Sequence, residues 1–200
     1  MRQGLGRASL LSYMSTNKAL FLDRDGVINT EQGYVHSRDA FRFQEGIYDL
    51  CWKAQSLGYV LLVVTNQAGI ARGYYTESSF LDLTEWMIKK FAERQIRIAQ
   101  VYYCPYHPVH GVGSYKYDSP DRKPKPGMIL RARADFNLDL ASSILVGDQL
   151  SDIQAAEAAG VGTKILLRSD PAEMETQGGG QYYVVDSLDK IGSRFFSFGR

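Results

Sequence analysis

Five short apolar runs, each breaking off at a polar residue, limit what this 200-residue chain can fold into more than any other feature. Ala19-Leu20-Phe21-Leu22 stops at Asp23, and Tyr59 to Val64 stops at Thr65-Asn66. Val101-Tyr102-Tyr103 runs into Cys104-Pro105, Ile144-Leu145-Val146 into Gly147-Asp148, and Lys164 to Leu167 into a polar loop. Runs that are continuous rather than alternating are the signature of strands buried on both faces. The segments between them have helical spacing. Ile47, Leu50, Cys51, Ala54 and Leu57 follow offsets of three and four and end at Gly58. Thr76 is placed to cap a helix carrying Phe80, Leu83, Met87 and Phe91, Pro126 fits the first turn of another, and Asp152 to Ala159 is a short helix closed by Gly160. Strand and helix in alternation predict an α/β fold, a parallel sheet with helices on both faces.

Two stretches, residues 26–43 and 104–125, are too long for ordinary connections. Each follows a strand and so belongs at the carboxyl edge of the sheet, where open α/β folds bind ligands. Neither has the length to hold a second domain. The expected organisation is a flexible N-terminal extension, residues 1–17, and a single domain, residues 18–200. Gly178-Gly179-Gly180 reads as a flexible connector before a last strand-like run, Tyr182 to Val185. Phe195, Phe196 and Phe198 then read as part of a final helix packed on the sheet.

Composition excludes several classes of function. Lys plus Arg is 23 against 22 for Asp plus Glu, so no global field attracts nucleic acid or an acidic membrane. No apolar run approaches the ~20 residues of a membrane span. The two cysteines, Cys51 and Cys104, make no disulfide framework. A cytoplasmic monomer is expected, with neither nucleic acid nor membrane as partner.

Three strands end in residues of matching chemistry: Asp23-Arg24-Asp25-Gly26, Thr65-Asn66, and Gly147-Asp148 with Asp152 shortly after. Between the second and third lies Arg122-Lys123-Pro124. A doubly wound sheet brings neighbouring strand ends into one crevice, and carboxylates gathered there repel one another unless a cation joins them. An oxygen-only donor set suits Mg2+. Asp23 is the candidate nucleophile, forming an aspartyl phosphate that water then cleaves, and Asp25 the general acid and base. Thr65 and Lys123 would hold the transferring oxygens. Asp23, Asp148 and the main-chain carbonyl of Asp25 are the candidate metal ligands, with Asp152 orienting them from behind. Each piece alone has a plainer reading. Asp-x-Asp-Gly suits a turn, Thr65-Asn66 and Asp148 with Asp152 suit helix caps, and Arg122-Lys123 suits a solvated surface pair.

Taken in order, these residues resemble the haloacid dehalogenase (HAD) superfamily of phosphatases. Within it, Asp23 to Asn29, Gly33-Tyr34-Val35-His36, Thr65 to Gly73 and Arg122-Lys123-Pro124 through Met128 resemble the D-glycero-D-manno-heptose-1,7-bisphosphate 7-phosphatases. The resemblance spans residues 18–167. It implies a three-layer Rossmann-like core with no large cap domain, and hydrolysis of the C7 phosphate of a small phosphorylated sugar, a step toward ADP-heptose for the lipopolysaccharide core. It also implies that Glu31, Gln32, Gly33 and Tyr34 form a flap over substrate, that Asn66, Gln67 and Ala68 contact substrate, and that Arg122 grips it, plausible chemistry for a guanidinium facing a second phosphate. Histidinol-phosphate phosphatases share the Asp-x-Asp-Gly core and stand as the enzymatic alternative, and a sugar-phosphate-binding protein as the non-enzymatic one.

The chain departs from that family in the second long loop. Members often carry structural zinc there, on Cys-x-His followed by Cys-x-Cys, and the corresponding positions here are Cys104, Tyr106, Ser119 and Asp121. One thiolate does not close a tetrahedral site, so no zinc is expected, and Tyr115 and Tyr117 become candidates for packing the loop. His107 and His110, with Asp118 or Asp121, are the remaining donors that could combine with Cys104. The family admits a lysine at the position of Gln149, and a neutral side chain there would shift phosphate binding toward Lys123.

Overall fold

The computed structural model describes residues 16–168, 175–177 and 180–197. Its centre is β1 (Lys18–Leu22), flanked in parallel by β2 (Tyr59–Asn66) and β4 (Ile144–Gly147). The sheet widens through β3 (Ile98–Cys104) on one side, and through β5 (Thr163–Leu167), β7 (Gly180–Val185) and β6 (Glu175–Gln177) on the other. The order is β3-β2-β1-β4-β5-β7-β6, with every pairing parallel except β6 against β7. The β6–β7 hairpin was not foreseen. Gly178 and Gly179 lie outside the described residues, and Gly180 already belongs to β7.

The apolar runs serve two cores because successive side chains of a strand face opposite ways. Leu20, Leu22, Leu61 and Val63 enter one core, built with α1 (Ile47–Ser56), α3 (Glu77–Ala92) and α6 (Leu188–Phe195). Ala19, Phe21, Leu62 and Val64 enter the other, covered by α4 (Gly127–Phe136) and α5 (Leu150–Ala159). That is the three-layer arrangement expected, with no large cap among the described residues.

Thr76 caps α3, its side chain accepting from Ser79 N at 3.1 Å. Pro126 occupies the cap of α4 rather than its first turn. Asn17 is bound to the body through Asn17 N to Asn137 O (3.1 Å) and Asp139 N to Asn17 O (2.8 Å). Residues 1–15 and Phe198 lie outside the described residues, while Phe195 ends α6 and Phe196 is buried against Tyr59.

Strand order places the site. β2 and β4 leave β1 in opposite directions, which opens a crevice at the carboxyl ends of β1 and β4. Asp23 and Asp148 are the first residues past those two ends.

Candidate active site

Asp23 is fixed by main-chain contacts at the strand tip. Its N–H donates to Val146 O (3.0 Å), and its Oδ1 accepts from Arg24 N at 2.7 Å. Asp148 comes up beside it because position 26 has no side chain. A Cβ on Gly26 would lie 2.3 Å from Asp148 Oδ2, and its φ of +83° is itself costly for any other residue. Gly147 leaves room in the same way for Asp152, whose Cβ is 2.3 Å from where its own Cβ would be.

Asp152 is both a cap and an ion-pair partner. Its Oδ2 accepts from Gln149 N at the start of α5 (3.0 Å), and its Oδ1 is 2.6 Å from Lys123 Nζ. Lys123, 4% exposed, is far from a solvated surface residue. Its ammonium also meets Asp23 Oδ1 at 3.0 Å and donates to Val64 O at 2.8 Å. All three N–H directions are therefore used. Asn66 holds the Lys123 main chain through both amide atoms: Lys123 N to Asn66 Oδ1 and Asn66 Nδ2 to Lys123 O, each 3.1 Å.

The charges in this cluster do not balance. Ligand atoms of Asp23, Asp148 and Asp152 lie within 4.8 Å of one another, with Lys123 the cation among them. Burial pushes the Asp23 carboxyl well above its usual range, against the pull of Lys123 and with Asp152, Asp148 and Asp25 adding to the rise. Burial likewise raises Asp148, to about 6. For Lys123 burial acts downward, but Asp152 and Asp23 outweigh it and the pKa rises. Asp148 Oδ1 is buried with no hydrogen-bond partner. A buried oxygen without a donor, in a set of hard oxygen donors carrying excess negative charge, fits a divalent cation such as Mg2+.

Asp25 points into the same cavity and is held by donors alone. Arg24 Nη2 reaches Asp25 Oδ1 and Oδ2 (2.8 Å each), Asn29 Nδ2 reaches Oδ1 (3.0 Å) and Gln67 Nε2 reaches Oδ2 (3.2 Å). Arg24 is 1% exposed and also donates to Val35 O at 2.6 Å, which ties the flap to the strand tip. Sequence reasoning gave Arg24 no part. The only signal was an arginine inside Asp-x-Asp, where a turn needs no charge.

The cavity has a volume of about 310 Å³, near the small end of ligand pockets. Of the expected residues, Asp23, Asp25, Glu31, Gly33, Tyr34, Thr65, Asn66, Ala68, Lys123, Asp148 and Asp152 line it. Gln32, Gln67 and Arg122 do not. Gln32 is exposed, and its amide donates to Thr30 Oγ1 at 3.4 Å. Gln67 is buried beneath the floor. Arg122 is half-buried and donates to Tyr106 O at 3.3 Å. Tyr75 and Ser151 line the cavity without having been anticipated as site residues, and Gln149, the neighbour of Asp148, lines it too. Tyr34, at φ 52°, packs edge-on against Tyr74 at 4.8 Å, and both rings are largely exposed at the mouth.

The second long loop is packed by aromatic rings. Tyr106 meets Tyr117 at 5.5 Å and Tyr115 at 5.9 Å, and the Tyr115 hydroxyl donates to Glu77 Oε2 (3.0 Å). Ser119 Oγ accepts from Asp121 N, Asp121 pairs with Arg131, and His107 Nδ1 accepts from His110 N. Among the described residues, Asp23, Asp148 and Asp152 form the one cluster of three or more potential metal ligands, and the donors of this loop do not form another.

A HAD-hydrolase-like family model matches residues 121–191. A D-glycero-beta-D-manno-heptose-1,7-bisphosphate 7-phosphatase of Vibrio cholerae serotype O1 is 49% identical over 86% of this chain and 93% of its own length. A D-glycero-alpha-D-manno-heptose-1,7-bisphosphate 7-phosphatase of Burkholderia mallei is 57% identical over 76% of this chain and 80% of its own. Among solved structures, a HAD-like protein from Mesorhizobium loti superposes with a TM-score of 0.81 at 34% identity, covering 89% of this chain and 84% of that one. The D,D-heptose 1,7-bisphosphate phosphatase of B. bronchiseptica, complexed with magnesium and phosphate, superposes with a TM-score of 0.73 at 26% identity, covering 88% and 97%. No helix among the described residues is long and apolar enough to cross a membrane.

Proposed function

Because the chain belongs to the heptose-1,7-bisphosphate 7-phosphatase family of HAD hydrolases, we propose that it removes the C7 phosphate of D-glycero-β-D-manno-heptose 1,7-bisphosphate by way of a phosphorylated Asp23. The observation that carries the chemistry is the meeting of Asp23, Asp25 and Asp148 in one small cavity with Lys123 bonded to Asp23. Asp23 Oδ1 is engaged by Arg24 N and Lys123, which leaves Oδ2 to attack phosphorus. As the new O–P bond forms and the ester bond breaks, Asp25 gives its proton to the departing sugar oxygen. Water then attacks the aspartyl phosphate, Asp25 takes the proton back, and inorganic phosphate leaves. Thr65 donates to a phosphoryl oxygen. Lys123, with its donors spent on protein oxygens, acts mainly by opposing the rise that burial imposes on the Asp23 carboxyl. Asp23, Asp148 and the main-chain carbonyl of Asp25 would hold Mg2+, with Asp152 behind them. When bound, that ion neutralises the carboxylates and the charge on the transferring group.

For specificity, Glu31, Gly33, Tyr34 and Ala68 meet the sugar at the cavity wall. Arg122 sits near Arg72 and Tyr34, where burial and the like charge of Arg72 lower its pKa. This local positive charge beside the flap suits the second phosphate of a bisphosphate. In the second long loop, ring packing takes the place of zinc, so metal analysis of untagged protein should find zinc far below one per chain. Stoichiometric zinc overturns that reading.

The function is tested on both heptose bisphosphate anomers, histidinol phosphate and p-nitrophenyl phosphate, with Mg2+ and with chelator. The highest kcat/KM should fall on a heptose bisphosphate, and a higher value on histidinol phosphate overturns the substrate assignment. Asp23→Asn should lower kcat by roughly a thousandfold or more, and activity within tenfold of wild type removes Asp23 as nucleophile.

A further inference from the structure

The cavity wall contains one phenol that the mechanism leaves idle. Tyr75 is 9% exposed, and its ring stacks on His36 at 5.1 Å with 5° between the planes. The ring passes over Gly69, where a Cβ would come within 2.1 Å of it, so its seat exists only because residue 69 has no side chain. The Tyr75 hydroxyl donates to Gln67 Oε1 at 2.7 Å. Gln67 is 1% exposed, and its amide nitrogen donates to Thr65 Oγ1 at 2.9 Å and to Asp25 Oδ2 at 3.2 Å.

We propose that Tyr75 is a positioning residue which, through Gln67, fixes the hydrogen-bond directions of Thr65 and Asp25 for phosphoryl transfer. The inference rests on the phosphatase reading and gives Gln67 a place in it beneath the site, in exchange for the substrate contact expected from sequence. An amide side chain fits its pocket in two orientations, and its neighbours select one. Burial pushes the Tyr75 phenol up to about 12, so it keeps its proton and donates at neutral pH. That donation holds the Gln67 carbonyl toward Tyr75 and turns the NH2 toward two oxygens. Thr65 thereby accepts on a lone pair, and its own proton is free to point at an oxygen in the cavity. With the phenol gone, Gln67 Oε1 is buried without a donor, and rotating toward the Thr65 hydroxyl recovers one. An incoming phosphoryl oxygen would then face a lone pair where it needs a proton, and Asp25 would lose one of its fixed contacts.

Tyr75→Phe keeps the ring, its stack and its packing while removing the donor. It should lower kcat about tenfold on both heptose bisphosphate and p-nitrophenyl phosphate with KM changed by less than about twofold, as loss of one oriented hydrogen bond at the transition state implies. Gln67→Met, of similar volume, should give a comparable loss, and the double variant should be no worse than Gln67→Met alone. A Tyr75→Phe kcat within about twofold of wild type overturns the proposal. So does a loss confined to KM, which makes Tyr75 a substrate contact, and so do multiplying losses in the double variant, which take Gln67 out of the path. If Tyr75→Phe fails to fold, Gln67→Met decides alone, with an unchanged kcat as the contrary result. If wild type hydrolyses p-nitrophenyl phosphate and leaves heptose bisphosphate untouched, the substrate assignment fails, and the relay is judged on the aryl phosphate.

Discussion

Lys123→Met should expose how much of the site's stability depends on one buried ammonium, and the answer should change with pH. In wild type that ammonium lies 2.6 Å from Asp152 Oδ1 and 3.0 Å from Asp23 Oδ1. Methionine fills similar space but leaves the two carboxylates, with Asp148 close by, facing one another without a cation. Removing one partner of a buried ion pair costs about 3–5 kcal/mol. The cluster has an escape, because a carboxyl can take up a proton. For an aspartate of ordinary pKa near 3.9, holding a proton costs about 4 kcal/mol at pH 7 and about 1.5 kcal/mol at pH 5, at 1.36 kcal/mol per unit. The destabilisation should therefore be about 4 kcal/mol at pH 7 and fall below about 2 kcal/mol at pH 5. The sign follows from the direction of the shifts. Carboxyls whose folded pKa is raised, as for Asp23 and Asp148, bind protons more tightly in the folded state. The stability they contribute is full below the unfolded pKa near 3.8 and is lost as pH rises, through about 6 for Asp148. Urea unfolding of wild type and variant at both pH values, in chelator, measures the difference. In a domain of this size the pH 7 loss amounts to roughly 10 °C in Tm. A loss below about 1 kcal/mol at pH 7, or equal losses at both pH values, would refute the electrostatic account of the cluster. Saturating Mg2+ should restore much of the lost stability.

Two other perturbations address distinct parts of the site. Gly26→Ala sets a methyl 2.3 Å from Asp148 Oδ2 at φ +83°, so it should weaken Mg2+ activation at least tenfold while costing about 1–3 kcal/mol of stability. Unchanged Mg2+ affinity by calorimetry removes Gly26 as the reason Asp148 reaches Asp23. Arg122→Ala should reduce kcat/KM for the bisphosphate about tenfold more than for p-nitrophenyl phosphate, and equal losses on the two would show that it does not read the second phosphate.

Local pattern was enough to read the strands and the carboxylates. A strand buried on both faces must be apolar throughout, and each run breaks off where polar chemistry begins, so the positions of Asp23 and Asp148 just past strand ends, and of Thr65 in the last residues of β2, were legible. The β6–β7 hairpin was not, since three residues of antiparallel pairing leave almost no periodicity. The loops were read least well for the same reason: their conformations are set by what they touch. Sequence put Gln67 beside Asn66 and Ala68 as a substrate contact, yet alternation along the chain drops it beneath the floor to Thr65 and Tyr75.

The sequence by itself determined the parallel strands, the two-sided core and the set of charged groups, because burial and strand periodicity are properties of neighbouring residues. Tertiary structure alone decided which groups hold which. Lys123 reaches Asp23 across 100 positions, Arg24 ties the strand tip to Val35, and Tyr75 orients Gln67 only because Gly69 makes way. Hydrogen bonds and ion pairs are directional and short, so they exist only once the fold has brought distant side chains within about 3 Å of each other.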